Sequence, residues 1–177
     1  MSITTYAELQ TAVANWLDRS DLTDRIVEFI ELAEVDIHDE LRVREMETRA
    51  DITVDDEYID VPTNFLSAKR LHLDTDPLWK IKFCSPDQIN DFKRQGGGKP
   101  YYFTVIGSEL EFDRTPDTSY TGKFVYYEKP VNLSVSATTN DVFPLYKNIY
   151  LYGALLQAEP FLGNDERLST WAKMYDA

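Results

Sequence analysis

Apolar residues recur at helical spacing near both ends of this chain and at alternate positions through its middle. The most apolar run, Pro144 to Leu162 (PLYKNIYLYGALLQAEPFL), predicts a helix. Leu145, Ile149, Tyr152, Leu156 and Glu159 fall on one line, with Tyr146, Tyr150, Gly153 and Ala154 beside it. Most of the circumference is therefore non-polar, and other elements must wrap it. Pro144 suits the first turn, Gly163 suits a left-handed cap, and Pro160 inside the pattern predicts a kink.

Thr5 to Leu17 opens on a capping-box pattern, with Thr5 as cap and Glu8 reaching back, and carries an apolar stripe of Tyr6, Leu9, Val13, Trp16 and Leu17. Asp21 is placed to cap a second amphipathic helix from about Leu22 to Leu41, with its acids on the face away from the stripe. After Arg44 the period changes to two. Thr48 to Val54 and Tyr58 to Val61 read as a hairpin around Asp55-Asp56-Glu57. Ala68 to Leu73 and Leu78 to Phe83 read as a second, around Asp74-Thr75-Asp76-Pro77. Ser85-Pro86-Asp87 caps a short helix to about Arg94, and Gly96-Gly97-Gly98 ends it. Tyr101 to Ile106 and Glu109 to Asp113 make a third hairpin across Gly107-Ser108, and Lys123 to Glu128 is a last strand. Pro130 to Asn140 is polar and reads as a linker descending from the sheet. A final helix runs from a cap at Asn164 or Asp165 to Tyr175, with Leu168, Trp171 and Tyr175 on one face. This order predicts an α+β fold, terminal helices in one layer and antiparallel strands in a second. Residues 1–45 and 141–177 form the helical part, and residues 46–140 a β domain with linker and one short helix.

The formal net charge of -13 argues against groove binding to nucleic acid and against docking on an anionic membrane. It suits a protein that must not stick to DNA. Cys84 is the sole cysteine, which excludes an intrachain disulfide and fits a reducing compartment. MSITTYAELQ has neither the basic nor the apolar region of a secretory signal, and no apolar run approaches a membrane span, so a cytoplasmic product is expected.

Candidate chemistry is sparse. Glu34 and His38 lie four apart on the second helix, but a metal needs three or four ligands, and a solvated helix face is the expectation. His72 reads as a structural histidine, and Cys84, with no local base, as a small buried residue. Gly96-Gly97-Gly98-Lys99 follows a helix and precedes a strand, the reverse of a phosphate-binding loop. Glu109, Glu111 and Asp113 alternate along a strand and read as a solvated sheet face, and Asp55-Asp56-Glu57 lacks a calcium-loop pattern. No catalytic residue, metal site or cofactor follows from this, and the chain reads as a non-enzyme. Tyr101, Tyr102, Tyr120, Tyr126 and Tyr127 cluster on strands and loops, a composition that favours interfaces.

The N-terminal ITTYAELQTAVANWLDRSDLTDRIVEFIELAEVDIHDELRVREM and the later PLYKNIYLYGALLQAEPFLGNDERLSTW resemble the head-to-tail adaptor proteins of tailed bacteriophages. The plan is similar to that of the podovirus tail tubular adaptor, a terminal helical bundle carrying an inserted β domain. The resemblance implies a homo-oligomeric ring of about a dozen copies in the virion neck. Such a ring would bind the portal protein on one side and a tail or nozzle protein on the other, with DNA passing through the channel unbound and no membrane involved. It makes Leu168, Trp171 and Tyr175 portal-contact candidates. Asp74, Asp76, Pro77, Gly96, Gly97, Gly98, Lys99 and Tyr120, on the loops Asp74 to Pro77, Gly96 to Lys99 and Arg114 to Gly122, become tail- or neighbour-contact candidates. The chain stops at Ala177, soon after the last stripe begins, so the portal arm is expected to be short or folded differently from that of the family. Two other readings are a monomeric module whose β layer binds a protein or small ligand, and a metal-dependent hydrolase using His38, His72 and nearby acids.

Overall fold

A computed structural model describes residues 3–162 and 167–175. It is a mixed helix-and-sheet protein with two compact units, residues 1–45 with 130–177 and residues 46–129.

In the first unit, α1 (Tyr6–Leu17) begins with the reciprocal cap that its sequence announces. The Glu8 N–H donates to Thr5 Oγ1 at 3.3 Å, and the Thr5 N–H donates to Glu8 Oε2 at 3.1 Å. Helix α2 (Thr23–Glu40) has Leu22 at its cap position with no side-chain cap bond. Asp21 does not cap it: Arg19 grips the Asp21 carboxylate at 2.7 Å on both oxygens and holds its pKa down at about 2. Helix α4 (Lys147–Gln157) touches α1, α2, the short α5 (Glu159–Leu162) and α6 (Leu168–Tyr175).

The expected boundaries of the apolar run need correction. Helix α4 starts at Lys147, so Pro144 lies in the preceding turn and Leu145 is 62% exposed. The buried line is Tyr150, Leu151, Ala154, Leu155 and Ala158, one step round from the stripe that the sequence suggests. Ahead of Pro160, which has no N–H to continue the ladder, the helix stops at Gln157 and α5 begins anew. Gly163, Asn164 and Asp165, expected as caps, lie outside the described residues. Gly153 marks a close approach, since a Cβ there would meet Ala33 Cβ and the Tyr175 ring at 3.1 Å.

The polar stretch Pro130 to Asn140 belongs to this first unit. Leu133 is buried and its N–H donates to Glu34 Oε1 at 2.8 Å, while the Tyr6 N–H donates to the Thr138 carbonyl at 2.8 Å. Asn140 turns the chain into α4, its Oδ1 accepting the Val142 and Phe143 N–H groups.

The second unit is a seven-stranded sheet with a helix, α3 (Pro86–Phe92). Its strands are β1 (Glu47–Val54), β2 (Tyr58–Asp60), β3 (Phe65–Leu73), β4 (Trp79–Phe83), β5 (Tyr102–Ile106), β6 (Glu109–Phe112) and β7 (Tyr120–Glu128), in the order β1-β7-β3-β4-β5-β6-β2. The β3–β4 and β5–β6 hairpins form as their turns predict, and Gly107 takes the positive φ that a two-residue turn requires. The first expected hairpin does not form. Strand β1 pairs along its whole length with β7, and β2 pairs with β6. Asp55-Asp56-Glu57 offers no glycine for a primed turn, and β7 offers β1 a better surface. Gly122 makes room there for Ile52 and Val54, and Lys123 pairs with Asp51 at 2.7 Å. Nor is the sheet wholly antiparallel: β4 and β5 run parallel, joined by a crossover through α3. The inner face buries Val54, Leu71, Leu73, Ile81, Phe103, Leu110, Phe112, Phe124 and Tyr126 as one cluster.

Candidate interaction surface

Three loops that are far apart in sequence meet at one end of the sheet. The Asp74 N–H donates to the Thr121 carbonyl at 2.8 Å, which ties the β3–β4 turn to the start of β7. The Gly98 N–H donates to Thr115 O at 3.1 Å and the Arg94 N–H to Asp113 O at 2.9 Å, which ties the glycine loop to Arg114–Gly122. Lys99 bridges the set, its ammonium 5.5 Å from the Trp79 ring centre and 5.7 Å from that of Tyr120. Tyr120 in turn donates to Asp117 Oδ1 at 2.5 Å. The candidates Asp74, Asp76, Pro77, Gly96, Gly97, Gly98, Lys99 and Tyr120 thus lie on loops joined by direct bonds rather than scattered over the sheet.

Tyr101 stands at the centre of this end, 38% exposed. Its ring meets Trp79 edge-on at 4.8 Å, and the Arg94 and Arg114 guanidinium groups lie 4.8 and 5.2 Å from its centre. Trp79 is fixed by its own Nε1–H, which donates to Pro100 O at 2.7 Å. An aromatic residue held this firmly offers a preformed contact at little entropic cost. Of the other tyrosines, Tyr126 is buried in the sheet core, Tyr102 stacks on Phe92 at 4.1 Å, and Tyr127 lies beneath Lys69. Tyr101 and Tyr120 remain for contact.

The acidic residues expected on a solvated sheet face are mostly inside. Asp113 is fully buried, and its Oδ1 accepts the Tyr101 and Tyr102 N–H groups at 2.7 and 2.9 Å, anchoring the strand beneath the loop cluster. Glu111 is 8% exposed and pairs with Lys93 at 2.7 Å, while Glu57 takes the same ammonium. Burial pulls the Lys93 pKa down, but the two carboxylates outweigh it and hold the side chain charged well above the usual range. Lys93 in return keeps the Glu57 carboxyl below its ordinary value. This is a clamp between β6, the turn after β1 and the end of α3. The alternating pattern concealed it because its cation comes from a different element.

His38 and Glu34 also depart from expectation. They are 3% and 0% exposed, not on a solvated face, and the Leu133 N–H covers the Glu34 carboxylate. Among the described residues no three His, Cys, Asp or Glu side chains gather as a metal site. His72 is half-buried on the outer sheet face. Cys84 is buried, its Sγ donates to Phe103 O at 3.5 Å, and burial pushes its thiol pKa up. A depression of about 310 Å³ is lined by Ile37, Glu40, Leu41, Ile149 and Tyr175, one carboxylate among apolar groups. On α6, Leu168 and Tyr175 are half-buried, but Trp171 is 2% exposed beneath Arg167. Its indole therefore packs within its own unit instead of offering a free contact.

No helix among the described residues is long and apolar enough to cross a membrane. No curated protein matches the chain. A family model described as "SU10 adaptor protein" matches residues 4–177, which is nearly the whole length and includes the strand-rich middle as well as the helical ends. The chain therefore belongs to the SU10 adaptor protein family, a family of bacteriophage structural adaptors.

Proposed function

We propose that copies of this chain close into a ring between portal and tail, and that the genome passes through that ring. The proposal extends what family membership implies, a structural neck component that associates with other head and tail proteins. A homo-oligomeric ring of about a dozen copies is a heterologous assembly, in which one patch of each subunit meets a different patch of the next. The terminal helices act as a bundle, residues 1–45 with 141–177, that meets the portal through Leu168, Tyr175 and the exposed edge of α6 around Met174, with Trp171 holding α6 in place. The three-loop end of the sheet meets the tail protein or the neighbouring copy.

The observation that carries this reading is the charge. A protein of net charge -13 that belongs to a phage adaptor family cannot hold DNA through its overall field. A wall of that sign repels phosphate within roughly a Debye length, about 8 Å at physiological salt, so a duplex slides past without sticking. The test is to mix the full chain with its cognate portal protein and image the product. Closed rings seated on the portal support the reading. Absence of rings and of co-purification contradicts it and leaves a monomeric protein-binding module.

A further inference from the structure

The outer face of the sheet runs against the overall charge. Along β1, β7, β3 and β4, the register sets Arg49 opposite Val125 and Val125 opposite Arg70, and in the next row Asp51, Lys123, His72 and Lys80. Lys82 follows Lys80 on the same face, the intervening Ile81 being buried. Among the described residues Arg49, Arg70, Lys80 and Lys82 form no ion pair, and all four are exposed. Between these cations lies a shallow groove of about 210 Å³, whose lining includes Ala50, Phe124 and Val125. Of these, Val125 is the outward-facing apolar side chain, since Phe124 is buried in the inner-face core, and the Asp51 carboxylate stands among the surrounding cations.

Helix α2 carries the converse pattern on the side away from its buried stripe. Leu32 and Val35 are 52% and 51% exposed, and Asp24, Glu31 and Asp39 flank them on the same side of the helix, where Arg25 holds Glu28 at 2.9 Å. We propose that the outer face of α2 of one copy docks on the outer sheet face of the next, Leu32 and Val35 over the groove and the acids against Arg49, Arg70 and the lysines. This rests on the ring reading and names the two unlike patches that such a ring needs. Two features fit a second copy better than a nucleic-acid backbone. Val125 and the Asp51 carboxylate stand among the cations, which suits a mixed aliphatic and charged ridge and not a phosphate chain, and the acids of α2 are on this same chain. Docking also covers this basic sheet face, which would otherwise attract DNA in the channel.

The test uses charge-swapped full-length chains on the cognate portal, with chains per portal ring read by native mass. Arg49→Glu with Arg70→Glu sets acids against the acids of α2 at the centre of the contact, and Glu31→Lys with Asp39→Lys sets lysines against Arg49 and Arg70. All four side chains are exposed, so thermal melts should match wild type. Each variant alone should lose occupancy by about a hundredfold in apparent affinity, since like charges would face each other across the contact. Mixed in equal amounts the two variants should restore full rings, because every contact then joins opposite charges, and high salt should weaken the restored rings. Rings that form normally from either variant alone, or no recovery in the mixture, would overturn the proposal while leaving the ring itself standing. Normal rings together with weaker retention of a short DNA duplex by the first variant would assign the face to nucleic acid instead. Wild-type chain that never binds the portal would remove the ring reading and this inference with it.

Discussion

In the helical unit the packing follows the helical period, and the charge is lopsided. Residues 1–45 and 130–177 hold sixteen acidic side chains against seven basic ones. In the sheet unit, residues 46–129, the count is fifteen against eleven, and three of its acids are engaged inward: Asp113 on backbone N–H groups, Glu57 and Glu111 on Lys93. Both units leave most of their described acids outside, but the sheet unit also uses three as internal clamps and leaves unpaired cations on its outer face. A chain built this way can repel a polyanion overall and still carry complementary patches for a second copy.

The largest effects should come from each unit's aromatic anchor. Phe124→Ala in the sheet core and Trp171→Ala on α6 each remove a fully packed ring and should cost about 3–5 kcal/mol, read by urea titration. If Trp171→Ala instead left stability unchanged and only weakened portal attachment, α6 would be a contact arm and not part of the helical core. Next, Gly122→Val should cost about 1–3 kcal/mol by overpacking, because even a Cβ there would lie 2.9 Å from Ile52 Cγ1 and Val54 Cγ2. A neutral result would mean that β1 does not lie on β7 in this register.

Lys93→Met tests the inward clamp and should cost about 1–2 kcal/mol near neutral pH, since two carboxylates lose a shared, largely buried donor. The sign with pH follows from Glu57, whose folded pKa is depressed by Lys93. Its contribution is present above the unfolded glutamate value of about 4.3 and is lost as pH falls through the lower folded value. Wild type should therefore lose stability more steeply than Lys93→Met below about pH 4, and parallel acid titrations of the two would refute the clamp. The smallest effect is Thr5→Ala, about 1 kcal/mol from the α1 cap, measured by the same urea titration.

The same contrast governs what the sequence discloses. Helix α1, its cap, both tight hairpins and the helix after Ser85 are local events, set by residues within a turn or two of each other, and they were legible. Asp21 failed as a cap because a competing partner, Arg19, sat two residues away. The pairing of β1 with β7 spans more than sixty residues of chain, and its cause, the missing side chain at Gly122, means nothing until β1 is beside it. Glu34 on α2 looked solvated for the same reason, since its cover arrives with Leu133, about a hundred positions later. The tail-side loops were legible as turns, but their convergence around Lys99 and Tyr101 was not, because it depends on a sheet order that periodicity does not encode.

Everything functional in this account rests on identical copies standing side by side in the particle's neck. The most direct measurement is an image reconstruction of the intact virion at a resolution that traces this chain. The expected result is a closed ring of these subunits between portal and tail, each subunit's α2 against the β1–β7–β3 face of its neighbour. The same chain found elsewhere in the particle, or present as isolated copies, would contradict it.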